Sequence, residues 1–222
     1  MNRSPLETGC SLAIHDSQSR FWENLIGRSR AFWEYFYPVA QQTFPGQLGN
    51  VSLDQFYCAV NKVNPSLIRV DADEATYNLH IMLRLELEIA ILEKRIEVKD
   101  LPEIWNTKMQ EYLGVSPEND ANGVLQDVHW SAGIIGYFPT YALGNLLSAQ
   151  IKERMEQDLG DISQYSKQGN FVPMREWLTE KIYRHGAKFE PGELIRRVTG
   201  SDIDPAPYMR YLETKYGEIY SL

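Results

Sequence analysis

Leu143, Leu147, Ile151, Met155 and Leu159 follow one another at intervals of four, a spacing that stacks side chains on one face of an α-helix. The same periodicity recurs along the chain and predicts an all-α fold. In residues 19–37, Phe21/Trp22, Leu25/Ile26, Phe32/Trp33 and Phe36/Tyr37 form one broad stripe, a helix that should end at Pro38. Ser52-Leu53-Asp54-Gln55 is a Ser-x-x-Gln capping box, opening a short helix that should bury Phe56, Val60 and Val63. Asn64-Pro65 stops it. Leu67-Ile68-Arg69-Val70 is brief and β-branched, and is the one segment that reads as strand or as a short extended linker.

Residues 74–97 are ambiguous, because Leu83, Leu85, Leu87, Ile89 and Ile91 alternate with Arg84, Glu86, Glu88 and Ala90 as in a half-buried strand. Helix is the better reading. The stretch has no turn residue, is rich in Leu, Glu, Ala, Met, Lys and Arg, and exceeds the roughly ten residues that strands rarely pass. Pro102 then opens a helix carrying Trp105, Met109 and Leu113, with Gly114 as its stop. Residues 115–122 read as a polar loop. Further helices are expected over 143–159, over 174–184 before Gly186, from Pro191, and over 207–219. No repeat or low-complexity segment interrupts the chain, so residues 1–222 read as one helical domain.

With 22 Lys+Arg against 30 Asp+Glu, the 222 residues carry a net charge of −8. No basic field exists to hold a phosphate backbone, so no nucleic-acid partner is expected. The longest apolar runs fall far short of the roughly 20 residues a membrane span requires. No secretory signal or credible lipid-attachment site is expected at the start of the chain. Cys10 and Cys58 are too few for a disulfide scaffold and suit a reducing cytoplasm. Cys58 falls on the apolar face of its helix and reads as an inert buried thiol. The histidines at 15, 80, 129 and 185 never take the i, i+4 spacing of a zinc pair on one helix face. Phosphate-binding glycine loops and a Gly-x-Ser-x-Gly elbow are missing as well. His80 and His185 read as structural, and Arg28 and Arg30 with Glu23 and Glu34 as a solvated or ion-paired helix face.

Three stretches carry more. They are Ile14-His15-Asp16-Ser17-Gln18-Ser19-Arg20-Phe21-Trp22, then Ile68-Arg69-Val70-Asp71-Ala72-Asp73, and then Gly123-Val124-Leu125-Gln126-Asp127-Val128-His129-Trp130 running into Tyr137-Phe138-Pro139-Thr140-Tyr141. In this order they resemble the carboxypeptidase Taq family of zinc metallocarboxypeptidases, with its patterns His-Glu-Ser-Gln, Ile/Val-Arg-x-x-Ala-Asp and Gly-x-x-Gln-Asp-x-His-Trp. The resemblance runs from about Pro5 to the C-terminus and points to the C-terminal half of that fold.

The resemblance implies zinc held by both histidines of a His-Glu-x-x-His helix and by the Glu of the first pattern, with the inner Glu as general base. At the third-ligand position this chain has Asp16, one methylene shorter. The His-Glu-x-x-His helix precedes this region in the family, and the sequence ahead of His15 does not contain it. No zinc is therefore expected to be bound by this chain alone. What remains is the substrate side. By resemblance Arg69 receives a peptide's C-terminal carboxylate through paired hydrogen bonds; the alternative is a structural ion pair with Asp71 or Asp73. His129, flanked by Gln126 and Asp127, would donate to the substrate carbonyl or its oxyanion, with Tyr137 and Tyr141 as further donors. Its alternative is a satisfied, half-buried polar group. Two functions follow as expectations: an inactive binding or structural module, or one half of a split carboxypeptidase completed by a separate N-terminal chain. An apolar face left uncovered by the missing half should favour a homodimer.

Overall fold

The computed structural model describes residues 4–222. Its helices are α1 (Leu12–Arg20), α2 (Arg30–Thr43), α3 (Pro45–Leu48), α4 (Leu53–Val60), α5 (Tyr77–Leu92), α6 (Leu101–Leu113), α7 (Pro139–Leu159), α8 (Ser163–Ser166), α9 (Val172–Lys181), α10 (Pro191–Thr199) and α11 (Ala206–Tyr220), and no strand occurs among the described residues. The fold is all-α, as the periodicity predicts. Among the described residues no helix is long and apolar enough to cross a membrane. Backbone contacts group the chain into two compact units, one made of the residues up to Val60 with Leu143–Leu222, the other of Asn61–Ala142.

The first unit closes around Phe21, Leu147, Met155, Met174 and Leu178, all fully buried. The stripe over 19–37 does not form one helix. A π-helical segment, Phe21–Gly27, continues α1 and turns Phe21, Leu25 and Ile26 inward. The chain then restarts at Ser29, whose hydroxyl accepts from the Phe32 amide at 3.2 Å as an N-cap. Nor does the helix end at Pro38, which lies inside α2. A proline forfeits one ladder bond without forbidding the next turn, and here the turns after it continue to Thr43. Of the two readings of the Arg28/Arg30 face, the ion-paired one holds, with Arg28–Glu23 at 3.2 Å and Arg30–Glu34 at 3.8 Å.

The capping box is present: the Ser52 amide donates to Gln55 Oε1 at 2.9 Å, and the Gln55 amide donates to Ser52 Oγ at 3.2 Å. The helix it opens buries Tyr57, while Phe56, Val60 and Val63 are half-buried. Cys58 is exposed rather than an inert core thiol, because α4 turns its Phe56–Tyr57 side inward and position 58 lies a further 100° around the axis.

The second unit is built on α5 and α6. Leu83, Leu87, Trp105, Met109 and Leu113 interlock as its core. The alternation over 83–91 is not followed, since Ile89 is exposed and Arg84 and Glu88 are buried; burial follows the helical period. No strand forms at 67–70 either. Ile68 is extended, and Arg69–Asp71 is a turn of 3-10 helix closed by the Asp71 amide on Ile68 O at 3.1 Å. After Gly114 the chain runs without regular structure to residue 138, well past the expected loop. Irregular stretches of this length inside a compact fold are more often functional than incidental.

Candidate functional site

Asp127 occupies this irregular stretch and binds two buried arginines at once. Arg69 donates to its Oδ1 from Nε at 3.0 Å and from a terminal nitrogen at 2.6 Å. Arg84, fully buried on α5, donates to its Oδ2 from Nε at 2.7 Å. Gln126 completes the clamp: its Oε1 accepts from the Arg69 amide at 2.8 Å and from Arg84 at 2.9 Å, while its Nε2 donates to Leu67 O at 3.0 Å. Arg69 also donates to the Tyr77 hydroxyl at 3.0 Å. Buried Arg69 and Arg84 are thus joined through a half-buried carboxylate and a half-buried amide, which close the two sequence patterns on one another.

Two guanidinia beside one carboxylate set the local charge balance. Burial would raise the Asp127 carboxyl, but the hydrogen bonds and charges of Arg69 and Arg84 outweigh it and hold it below the usual carboxylate value. Burial lowers Arg84 to about 10 even with Asp127 in place. A buried cluster of this kind has paid its desolvation in advance, so its integrity depends on every partner being present.

His129 lies at the edge of the clamp. Its Nε2 is 3.0 Å from the Tyr141 hydroxyl, and its ring packs on Phe138 with centroids 4.3 Å apart and near Tyr137 at 5.4 Å. Its Nδ1 is 3.8 Å from Asp127 Oδ1, beyond hydrogen-bond range. Burial lowers its pKa, with Arg69 and Arg84 adding to the effect while Asp127 and Glu88 oppose it. The ring is thus neutral at pH 7 and offers one donor and one acceptor. The Arg69 guanidinium stacks over the Tyr141 ring at 4.9 Å. Arg69, Gln126, Asp127, His129, Tyr137 and Tyr141 are therefore brought together, from segments far apart in sequence. Arg69 pairs with Asp127, not with Asp71 or Asp73; Asp73 instead caps the approach to α5 by accepting from the Thr76 amide at 2.9 Å.

Asp16 lies in the first unit, on α1. Its Oδ2 is buried without a hydrogen-bond partner, 3.7 Å from Arg20 Nε, and burial raises its pKa. It presses on Gly144 of α7: a Cβ there would meet Asp16 Oδ2 at 2.4 Å. Gly144→Ala should turn the carboxylate out of this niche. The expected result is an Asp16 pKa that falls toward the ordinary 3.8 in an NMR titration. Stability should change by no more than about 1 kcal/mol, since the helix gains an alanine where it loses the niche.

A lone orphaned carboxylate oxygen suits a metal, but one donor does not hold zinc, which takes three protein ligands at least. Among the described residues no group of three His, Cys, Asp or Glu stands close enough to bind an ion, so the residues present do not fit a complete zinc site. Sequence reasoning missed Tyr77, Arg84 and Glu88 of this cluster. Their spacing along α5, with His80 between them, places them on one helical face, a signal masked by the stronger Leu/Ile alternation.

A sequence model of the family described as Carboxypeptidase Taq (M32) metallopeptidase matches residues 1–216. The chain belongs to this carboxypeptidase Taq family. It is 49% identical over 217 residues to thermostable carboxypeptidase 1 of Thermus thermophilus, covering 98% of this chain and 42% of that relative. It is 46% identical to carboxypeptidase 1 of Bacillus subtilis, over 98% of this chain and 43% of that protein. The crystal structure of a carboxypeptidase of the family from Deinococcus radiodurans superimposes with a TM-score of 0.96 at 46% identity, covering 98% of this chain and 44% of that one. This carboxypeptidase Taq-family chain thus spans less than half the length of the relatives it matches.

Proposed function

We propose that this chain is the substrate-side half of a carboxypeptidase Taq-type site, binding the C-terminal end of a peptide, and that as a lone polypeptide it does not hydrolyse peptide bonds. The observation that carries this reading is the Asp127 clamp. It spends two buried arginines on holding the His129–Tyr141 pair at one edge, which is the investment of a binding surface, while no three metal donors stand together among the described residues. The His129–Tyr141 pair offers a ligand carbonyl or carboxylate the one donor its mutual hydrogen bond leaves over, the Tyr141 O–H or the His129 Nδ1–H according to tautomer, with Tyr137 beside them; Arg69 and Gln126 act through Asp127. The setting in this reading is the reducing cytoplasm, and the partners are a peptide C-terminus, a complementing chain or a second copy.

A second reading, in which a separate chain completes a zinc site, is favoured by one observation: the buried Asp16 Oδ2, which accepts no hydrogen bond. The two are separated by measuring amino-acid release from an N-blocked peptide in the presence of zinc. The chain alone should release none. Release that begins only on adding a polypeptide with a His-Glu-x-x-His helix establishes the second reading, and turnover by the 222-residue chain alone overturns the first. Tryptophan fluorescence, compared between the parent and Trp130→Phe, supplies the binding arm. A peptide with a free C-terminus should bind at least about tenfold tighter than its amide, the cost of one charge-assisted hydrogen bond; equal affinities would sink the assignment.

A further inference from the structure

Glu88 on α5 is 3% exposed, and its two oxygens reach the two ends of one loop. Oε2 accepts from the Trp130 indole N–H at 2.8 Å, and Oε1 accepts from the Gly136 amide at 2.6 Å. Between these anchors the chain makes a tight turn, closed by the Gly133 amide on Trp130 O at 3.0 Å and by the Ile134 amide on His129 O at 2.8 Å. The residues flanking the turn are His129 and Tyr137. Apart from Trp130, whose ring packs edge-on against Trp105 and Phe138, its own side chains give it little hold: Ile134 and Ile135 are exposed at 41% and 51%. Gly136 has φ +76°, a left-handed conformation that leaves its amide aimed at Glu88 and that a residue with a Cβ adopts at a cost.

We propose that Glu88 is a positioning residue for His129: a buried carboxylate that staples both ends of the 130–136 turn and so fixes where the imidazole stands against Tyr141. The chemistry needs a carboxylate. Two N–H donors arrive on its two oxygens, and an ionised carboxyl is the side chain that accepts on both. A glutamine in its place turns an NH2 toward one of the two donors. Glu88 shares its helix with Arg84, so α5 supplies both the clamp on Asp127 and the staple on the turn. Two neighbouring positions, 127 and 129–136, are thereby referred to one rigid element, which is how a loop residue is held to the tolerance a site demands.

The inference rests on the reading of His129 as a ligand donor, yet its test uses neither peptide nor metal, so either can fail without the other. In Glu88→Gln, hydrogen-exchange protection of the Gly136 amide should fall roughly tenfold, the worth of one lost hydrogen bond. The amides of Leu87 and Met109 should keep theirs. The charge lost in that variant also acts on His129 directly, alongside Asp127, Arg69 and Arg84. Trp130→Phe therefore serves as the second variant, removing one donor and leaving the carboxylate in place. In both variants the ring ¹⁵N shifts of His129, read where it is neutral, should move toward those of a free imidazole as the Tyr141 contact loosens. Ring shifts and Gly136 protection unchanged from the parent would overturn the proposal, and if Glu88→Gln fails to fold, Trp130→Phe decides alone.

Discussion

Asp127→Ala should cost the chain about 3–5 kcal/mol of stability, the penalty for leaving buried charge without its partner. The substitution strips the shared anion from Arg84, whose side chain is 0% exposed, and from Arg69, at 7%. Neither guanidinium can turn to water without dragging its helix or turn along, and Arg84 already stands at about 10 because of burial. Gln126 cannot replace the lost charge, since its Oε1 is neutral and already accepts from both arginines. Asp127→Asn keeps the shape and one acceptor, so it should fall between parent and alanine variant. Urea unfolding followed by tryptophan fluorescence measures the difference. A loss under about 1 kcal/mol, within the range of exposed ion pairs, would show that the clamp is solvated and that the site has been misread.

Acidification should destabilise the fold by about 3 kcal/mol between pH 6.5 and 4 through His80 alone. This histidine is fully buried on α5 with neither ring nitrogen hydrogen-bonded. Burial, followed by the charges of Arg84 and Arg69, lowers it from 6.5 to about 4, against the weaker opposite pull of Asp127 and Asp73. The folded chain therefore keeps His80 neutral while the unfolded chain protonates it. In that window the unfolded state binds more protons, and stability falls as pH falls, each unit of pKa difference being worth about 1.4 kcal/mol. His129, also lowered, acts in the same direction. Asp16, raised by burial, acts in the opposite one by binding a proton more readily when folded. Asp127, held below 3.8, loses its contribution only below the window. The check is unfolding free energy against pH for the parent and for His80→Gln, which should flatten the profile by nearly one proton. Parallel profiles would mean that His80 reaches water in the folded state.

Much of this was legible in the amino-acid order. The four-residue steps of α7, the Pro102 and Gly114 ends of α6 and the Ser52–Gln55 box are local signals, and local geometry obeyed them. The patterns around Asp16, Arg69 and His129 sufficed to place the chain in its family. Misreadings arose where a local rule met a competing contact. Pro38 did not stop α2, and the chain broke earlier, at Gly27–Ser29, where a serine cap and a π-helical turn supplied a better exit. Cys58 shares the apolar stripe of a helix only two turns long yet is exposed, because the inward side of so short a helix is set by its neighbours.

What the sequence by itself determined is the helical class, most helix ends and the family, because apolar period, caps and motif spacing are properties of residues near one another in the chain. Only the tertiary structure decided that Asp127 is the carboxylate Arg69 holds, that Arg84 and Glu88 face inward from α5, and that the 130–136 turn is tied at both ends. These are meetings between residues about 40 to 60 positions apart, and the burial that makes a charged side chain decisive exists only once the elements around it have packed.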